Sequence, residues 1–93
     1  MIVSLVKNQV KLEGVDEYIK VATKFAQDMK SIEGCIDSYL LQDIENKSVV
    51  VNVVIWKNKE YMEKDDGSIF IKYKPELKKY FLGNQTEILS VIL

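Results

Sequence analysis

Apolar positions recur along the chain with two different periods, and the places where the period changes mark the elements. Ile2 to Val10 is rich in β-branched residues, alternates in part, and runs into Lys11-Leu-Glu-Gly14, where charge and glycine signal a turn. This predicts a first strand. From Val15 onward the apolar residues fall at Val15, Tyr18, Ile19, Ala22, Phe25, Ala26, Met29 and Ile32, the spacing of one helical face. A long amphipathic helix over Val15 to Ser31 follows, with Gly34 as a C-terminal signal. Ile36 to Ile44 reads as a second strand, and the short polar link Glu45-Asn-Lys47 implies an antiparallel hairpin into a third, Ser48 to Trp56. Asn58 is a suitable N-cap for Lys59 to Lys64, and Asp65-Asp-Gly67 separates that helix from a second stretch, Ser68 to Phe81, with Pro75 at a helix start or kink. Gly83-Asn-Gln85 then closes the helical region, and Thr86 to Leu93 is predicted as a last strand.

The order is βαββαβ, an α+β, ferredoxin-like arrangement in which a four-stranded antiparallel sheet carries its helices on one side. The third strand shows what this leaves unresolved. Val49, Val51, Val53 and Ile55 line one face, while Val50, Asn52, Val54 and Trp56 line the other, so both faces are apolar and both need cover. A chain this short covers one face with its own helices. The last strand adds Ile88, Leu89, Val91, Ile92 and Leu93, which cannot all face those helices. The expected cover for the open sheet face is a second copy of the chain, giving a homodimer with a barrel-like core, a dimeric α/β barrel.

Composition narrows the function. Ninety-three residues make one domain over 1–93, and 47% apolar with 29% charged residues describes a soluble globule. A formal charge of −1, with lysines spread among acids, gives no basic surface for nucleic acid or anionic membrane. An RNA-binding sheet would also need aromatic and basic residues where this face carries valine, isoleucine and leucine. Cys35 is the single cysteine, which excludes an internal disulfide and fits a reducing compartment. Histidine is absent, removing histidine-dependent triads, His-ligated zinc and proximal-histidine haem. No metal site and no cofactor is expected. The apolar run at the N-terminus is too short for an export signal, so cytoplasmic residence is the expectation.

In a dry third strand, Asn52 and Trp56 are the side chains that can offer a directed hydrogen bond. The order of elements, the length, and the passage of an apolar third strand into Trp-x-x-x-Glu-x-Met at Trp56 to Met62 resemble the antibiotic biosynthesis monooxygenase domain family. The resemblance implies dimeric α/β barrels, the cofactor-free members of which oxidise aromatic polyphenols to quinones with molecular oxygen. By similarity to the actinorhodin-pathway type, Asn52 and Trp56, four residues apart, stand as the functional pair, and Asn8 corresponds to a first-strand asparagine. Two departures qualify this. Where many members carry a histidine after the tryptophan, this chain has Lys64, Asp65 and Asp66. Haem breakdown is disfavoured, because Asp65 stands where that branch has its tryptophan; a tyrosine would be the remaining ligand for haem.

The implied function is cofactor-independent oxygenation of a small aromatic or quinonoid metabolite. Asn52 would donate to a phenolate or enolate oxygen and Trp56 to a peroxide oxygen, with Asn8, Tyr39, Tyr61 and Tyr73 as candidate substrate contacts. The alternative is a non-catalytic homodimer that binds a small hydrophobic or aromatic ligand, since one fold hosts many functions.

Overall fold

The computed structural model describes Met1–Leu93. Strands β1 (Ile2–Val10), β2 (Cys35–Gln42), β3 (Val49–Trp56) and β4 (Phe81–Ser90) form one antiparallel sheet in the order β2-β3-β1-β4. A 3-10 turn at Leu12–Gly14 leads into α1 (Val15–Met29); α2 (Lys59–Lys64) and α3 (Ser68–Leu77) connect β3 to β4. This is the ferredoxin-like βαββαβ order expected from the periodicity, with the second helical segment in two pieces.

Helix α1 forms because its apolar residues share a face. Val15, Tyr18, Val21, Ala22, Ala26 and Met29 are buried, while Asp16, Glu17, Lys20 and Lys24 face outward. It ends at Lys30, four residues before Gly34, so Gly34 is not its cap. Gly34 instead turns the chain just before β2 with φ +85°, and the Tyr61 ring occupies the space a side chain there would need. Asn58 caps α2 by accepting a bond from the Tyr61 N–H at 3.1 Å.

The last third of the chain departs from expectation. Strand β4 runs from Phe81 to Ser90 instead of Thr86 to Leu93, and α3, which holds Pro75 within it, ends at Leu77 instead of Phe81. Gly83-Asn-Gln85 has the composition of a turn, but Lys7 to Gln9 lie directly opposite and pair with it, so the ladder overrides local preference. Val91 to Leu93 continue past the regular strand, with Ile92 and Leu93 fully exposed.

The β1–β3 register places Val54, Asn52 and Val50 opposite Ser4, Val6 and Asn8 on the helix-covered face. The other face presents Val3 and Leu5 beside Val51, Val53 and Ile55, flanked by Leu41 and Leu89, both about half exposed. Helix α3 is held mainly by α1. Phe25 meets Phe70 edge-on with ring centroids 6.0 Å apart, and the Tyr73 hydroxyl donates to Asp28. Because α3 leans on α1, the helix-side face of β4 is left open, and Ile88 is 50% exposed there. None of the helices is long and apolar enough to cross a membrane.

Candidate functional site

The core under the helices is divided. One cluster joins Val10, Val15, Tyr18, Val21, Ala22, Val50 and Leu77; a second joins Met29, Val54 and Trp56, with Phe25, Tyr61 and Met62 packed against it. Between them the sheet carries Asn8 and Asn52, and beside this polar pair the packing gives way to a cavity of about 330 Å³. Its walls come from both clusters, from Phe70 of α3, and from Ser4, Val6 and Thr86 of the sheet. A volume of this size lies at the lower end of the range of about 300–1,000 Å³ typical of small-molecule sites.

The hydrogen bonds decide which polar atoms the cavity presents. The Asn8 amide nitrogen donates to the Val50 carbonyl at 3.0 Å and to Asn52 Oδ1 at 3.0 Å, with the Val6 carbonyl at 3.3 Å. A backbone carbonyl can only accept, so Val50 requires the Asn8 nitrogen on its side. That nitrogen in turn requires the Asn52 oxygen, which leaves the Asn52 NH2 without a protein acceptor. Asn8 Oδ1, the Trp56 indole N–H and the Tyr18 hydroxyl likewise have no protein partner, yet no fully enclosed side-chain polar atom in the molecule is unpaired. All four atoms therefore reach accessible space, and the cavity is what these side chains line. Their residues are otherwise deeply buried: Asn8 is 4% exposed, Tyr18 4% and Trp56 2%. Burial raises the Tyr18 phenol above the ordinary tyrosine value, so it enters the site as a neutral hydroxyl. The result is an apolar chamber lined by side chains that carry two N–H donors, one hydroxyl and one amide oxygen without protein partners, groups able to hold an oxygen-bearing aromatic ring and to stabilise negative charge developing on it.

Of the residues singled out in the sequence, Asn8, Asn52 and Trp56 meet at this cavity. Tyr39 points from the opposite sheet face, where its hydroxyl donates to Asp37 at 2.8 Å. Tyr61 packs over Gly34 and lines a separate shallow recess with Asp66 and Ser68. Tyr73 is engaged with Asp28 between α1 and α3. The cavity also uses residues that the sequence reading assigned elsewhere. Tyr18, Phe25 and Met29 belong to the helical stripe, and a period of 3.6 residues cannot separate a packed position from a cavity wall. Thr86 was read only as strand. Ser4 carries a detectable signal: it shares a strand face with Asn8, and the sheet pairing puts that face on the same side as Asn52 and Trp56. Asp65 closes the end near Trp56 and Met62, its Oδ1 accepting from the Gly67 N–H at 3.2 Å.

The family model described as antibiotic biosynthesis monooxygenase matches residues 1–64, which hold β1, α1, the β2–β3 hairpin and α2. Among solved structures, a conserved protein from Methanosarcina mazei Go1 superposes with a TM-score of 0.81 at 26% identity, covering 95% of this chain and 89% of its own. A structure described as an antibiotic biosynthesis monooxygenase aligns over the whole of both chains with a TM-score of 0.84 at 11% identity. A Nitrosomonas europaea protein whose name carries that of the same family aligns over both full lengths at 0.89 and 12%. At such identities the last two likenesses speak for the fold. No curated protein matches the chain.

Proposed function

The chain belongs to the antibiotic biosynthesis monooxygenase family, and from that premise we propose that it oxidises a small aromatic or quinonoid metabolite with molecular oxygen, using no metal or flavin. The observation that carries this reading is the Asn8–Asn52 pair beside Trp56 on the lining of one apolar cavity, with the Asn52 NH2 and the Trp56 N–H both free of protein acceptors. Cofactor-free oxygenation asks little more of a protein. The substrate supplies the electrons, and the site must hold its anion, exclude water and stabilise charge as it moves.

The chemistry runs at a ring carbon bearing two hydrogens in its keto tautomer. Loss of one proton gives a delocalised phenolate, whose oxygen accepts from the Asn52 NH2. One electron passes to oxygen, and the resulting superoxide and substrate radical combine at that carbon to form a peroxide, which takes up a proton. Loss of the second carbon-bound proton with cleavage of the O–O bond leaves a carbonyl and releases water, so one oxygen atom enters the product and the other is reduced. The Trp56 N–H, on the same wall, donates to the peroxide oxygens. Asn8 acts through Asn52: it accepts no role at the reacting atoms but holds the Asn52 oxygen away from them.

The reading includes a homodimer. Leu5, Leu41, Val51, Val53, Ile55 and Leu89 form an apolar field on the face away from the cavity, and a second copy packed there by a two-fold axis would bury it without obstructing the site. The opposing function is ligand binding without turnover. Oxygen uptake measured with dihydroxynaphthalenes and anthrones separates the two. Enzyme action requires consumption that falls by about 10²–10³ in kcat in Asn52→Ala. Consumption unchanged by that substitution, or tight binding with no consumption, would sink the oxygenase and leave the binding protein.

A further inference from the structure

The cavity does not end at its polar pair. Past Asn8, Tyr18, Phe70 and Leu77 it continues into a mouth of about 440 Å³ between α3 and β4, where the added lining is Lys74, Lys78 and Phe81. Lys74 sits in the last turn of α3 and Lys78 caps that helix, so the two ammonium groups share one face at a spacing of four. Cations at a helix C-terminus are favoured by its dipole, and this accounts for the presence of lysine there. It does not account for the surroundings. Lys72 on the same helix is paired with Asp28 at 3.7 Å, whereas neither Lys74 nor Lys78 is in an ion pair and no carboxylate lines the mouth. The carboxylate of the inner chamber, Asp65, lies at the other end, beside Trp56 and Met62. Two deeply buried polar side chains with free atoms, Asn8 and Tyr18, line both volumes and join them into one path.

We propose that the ligand of this cavity is an aromatic monoanion, a fused ring system bearing one ionised acid group, bound with its ring against Phe25, Phe70 and Val54 and its acid group between Lys74 and Lys78. This rests on the cavity being the ligand site proposed above and adds to it a substrate class and an orientation. The reverse orientation would bring the acid against Asp65. Two exposed ammonium groups about 6 Å from the anion supply roughly a tenfold preference over a neutral ligand of the same shape, using a solvent-like dielectric.

Calorimetric titration with 2-naphthoate and with neutral 2-naphthamide tests this, read together with emission from Trp56, the single tryptophan, which lines the inner chamber. The protein should bind both, quench Trp56 with both, and favour naphthoate about tenfold at low salt. The preference should collapse in 1 M salt, where screening acts over roughly 3 Å, and in Lys74→Gln/Lys78→Gln. Affinity for naphthamide should be unchanged in that variant, which also reports that the variant is folded. Equal affinity for the two probes, or a preference that survives both the salt and the double substitution, would overturn the anion assignment while leaving the cavity as the ligand site. Failure of both probes to bind or to affect Trp56 would overturn the assignment together with the site.

Discussion

Truncating Asn8 to alanine is the perturbation for which the structure gives the sharpest magnitudes. The Asn8 amide nitrogen makes two bonds at 3.0 Å, one to a backbone carbonyl and one to the side chain of Asn52. At about 1 kcal/mol for each net hydrogen bond, Asn8→Ala costs about 2 kcal/mol, and Asn52→Ala, which loses only the shared bond, costs about 1 kcal/mol. The double variant loses the same two bonds as Asn8→Ala alone, so it should stand about 2 kcal/mol below the parent, not about 3, which is a coupling of about 1 kcal/mol. Urea denaturation followed by circular dichroism at one fixed protein concentration measures all four corners, the concentration being held because a dimer would make the midpoint depend on it. For a domain of this size the Asn8→Ala loss corresponds to a fall in Tm of roughly 8–16 °C. Additive costs, with coupling below about 0.3 kcal/mol, would show that Asn8 does not hold Asn52. An Asn52 NH2 free to face the cavity would go with it, because that orientation rests on the shared bond.

Other consequences can be checked independently. Val53→Lys puts a charge in the centre of the open sheet face; it should convert a dimer into a monomer in sedimentation equilibrium, and a wild-type monomer would refute the interface itself. Gly34→Ala should lower stability by about 1–2 kcal/mol from its left-handed backbone alone, and by more because the new methyl meets the Tyr61 ring; chemical denaturation reads the loss, and Tyr61→Ala in the same chain should recover the steric part. Alkaline pH should unfold the protein through its tyrosines. Hydrogen bonds to Asp37, Asp28 and Glu17 raise Tyr39, Tyr73 and Tyr80, and burial raises Tyr18, so folding favours the protonated phenols. Their contribution is complete below the unfolded value of about 10 and is lost as pH rises through the higher folded values. Denaturation midpoints should therefore fall above about pH 10, less steeply in Tyr73→Phe/Tyr80→Phe, and an identical slope in that variant would contradict the linkage.

Much of this molecule is written locally. The limits of β1, the start of α1, the Asn58 cap and the break at Asp65-Asp-Gly67 agree between the residue pattern and the structure, because each follows from neighbours within a turn or a strand. Period alone also separated Val50, Asn52, Val54 and Trp56 from the other face of β3, and those four do lie together. It did not say which face the helices cover. That depended on register across remote segments: Asn8 reaches Asn52 only because β1 lies antiparallel beside β3 with Val6 opposite Asn52. Strand β4 was misplaced for the same reason, since Gly83, Asn84 and Gln85 are strand only by virtue of the β1 edge they meet. The cavity itself is a property of how α3 leans. Docked on α1 through Phe25, Phe70 and the Tyr73–Asp28 bond, α3 stands off the sheet and leaves the stripe residues Tyr18 and Met29 as walls. Which side chains share a face was legible in the order of residues. What each face meets was not, because periodicity is set by covalent neighbours, whereas cover and hydrogen-bond partners come from chain segments that the local pattern does not relate.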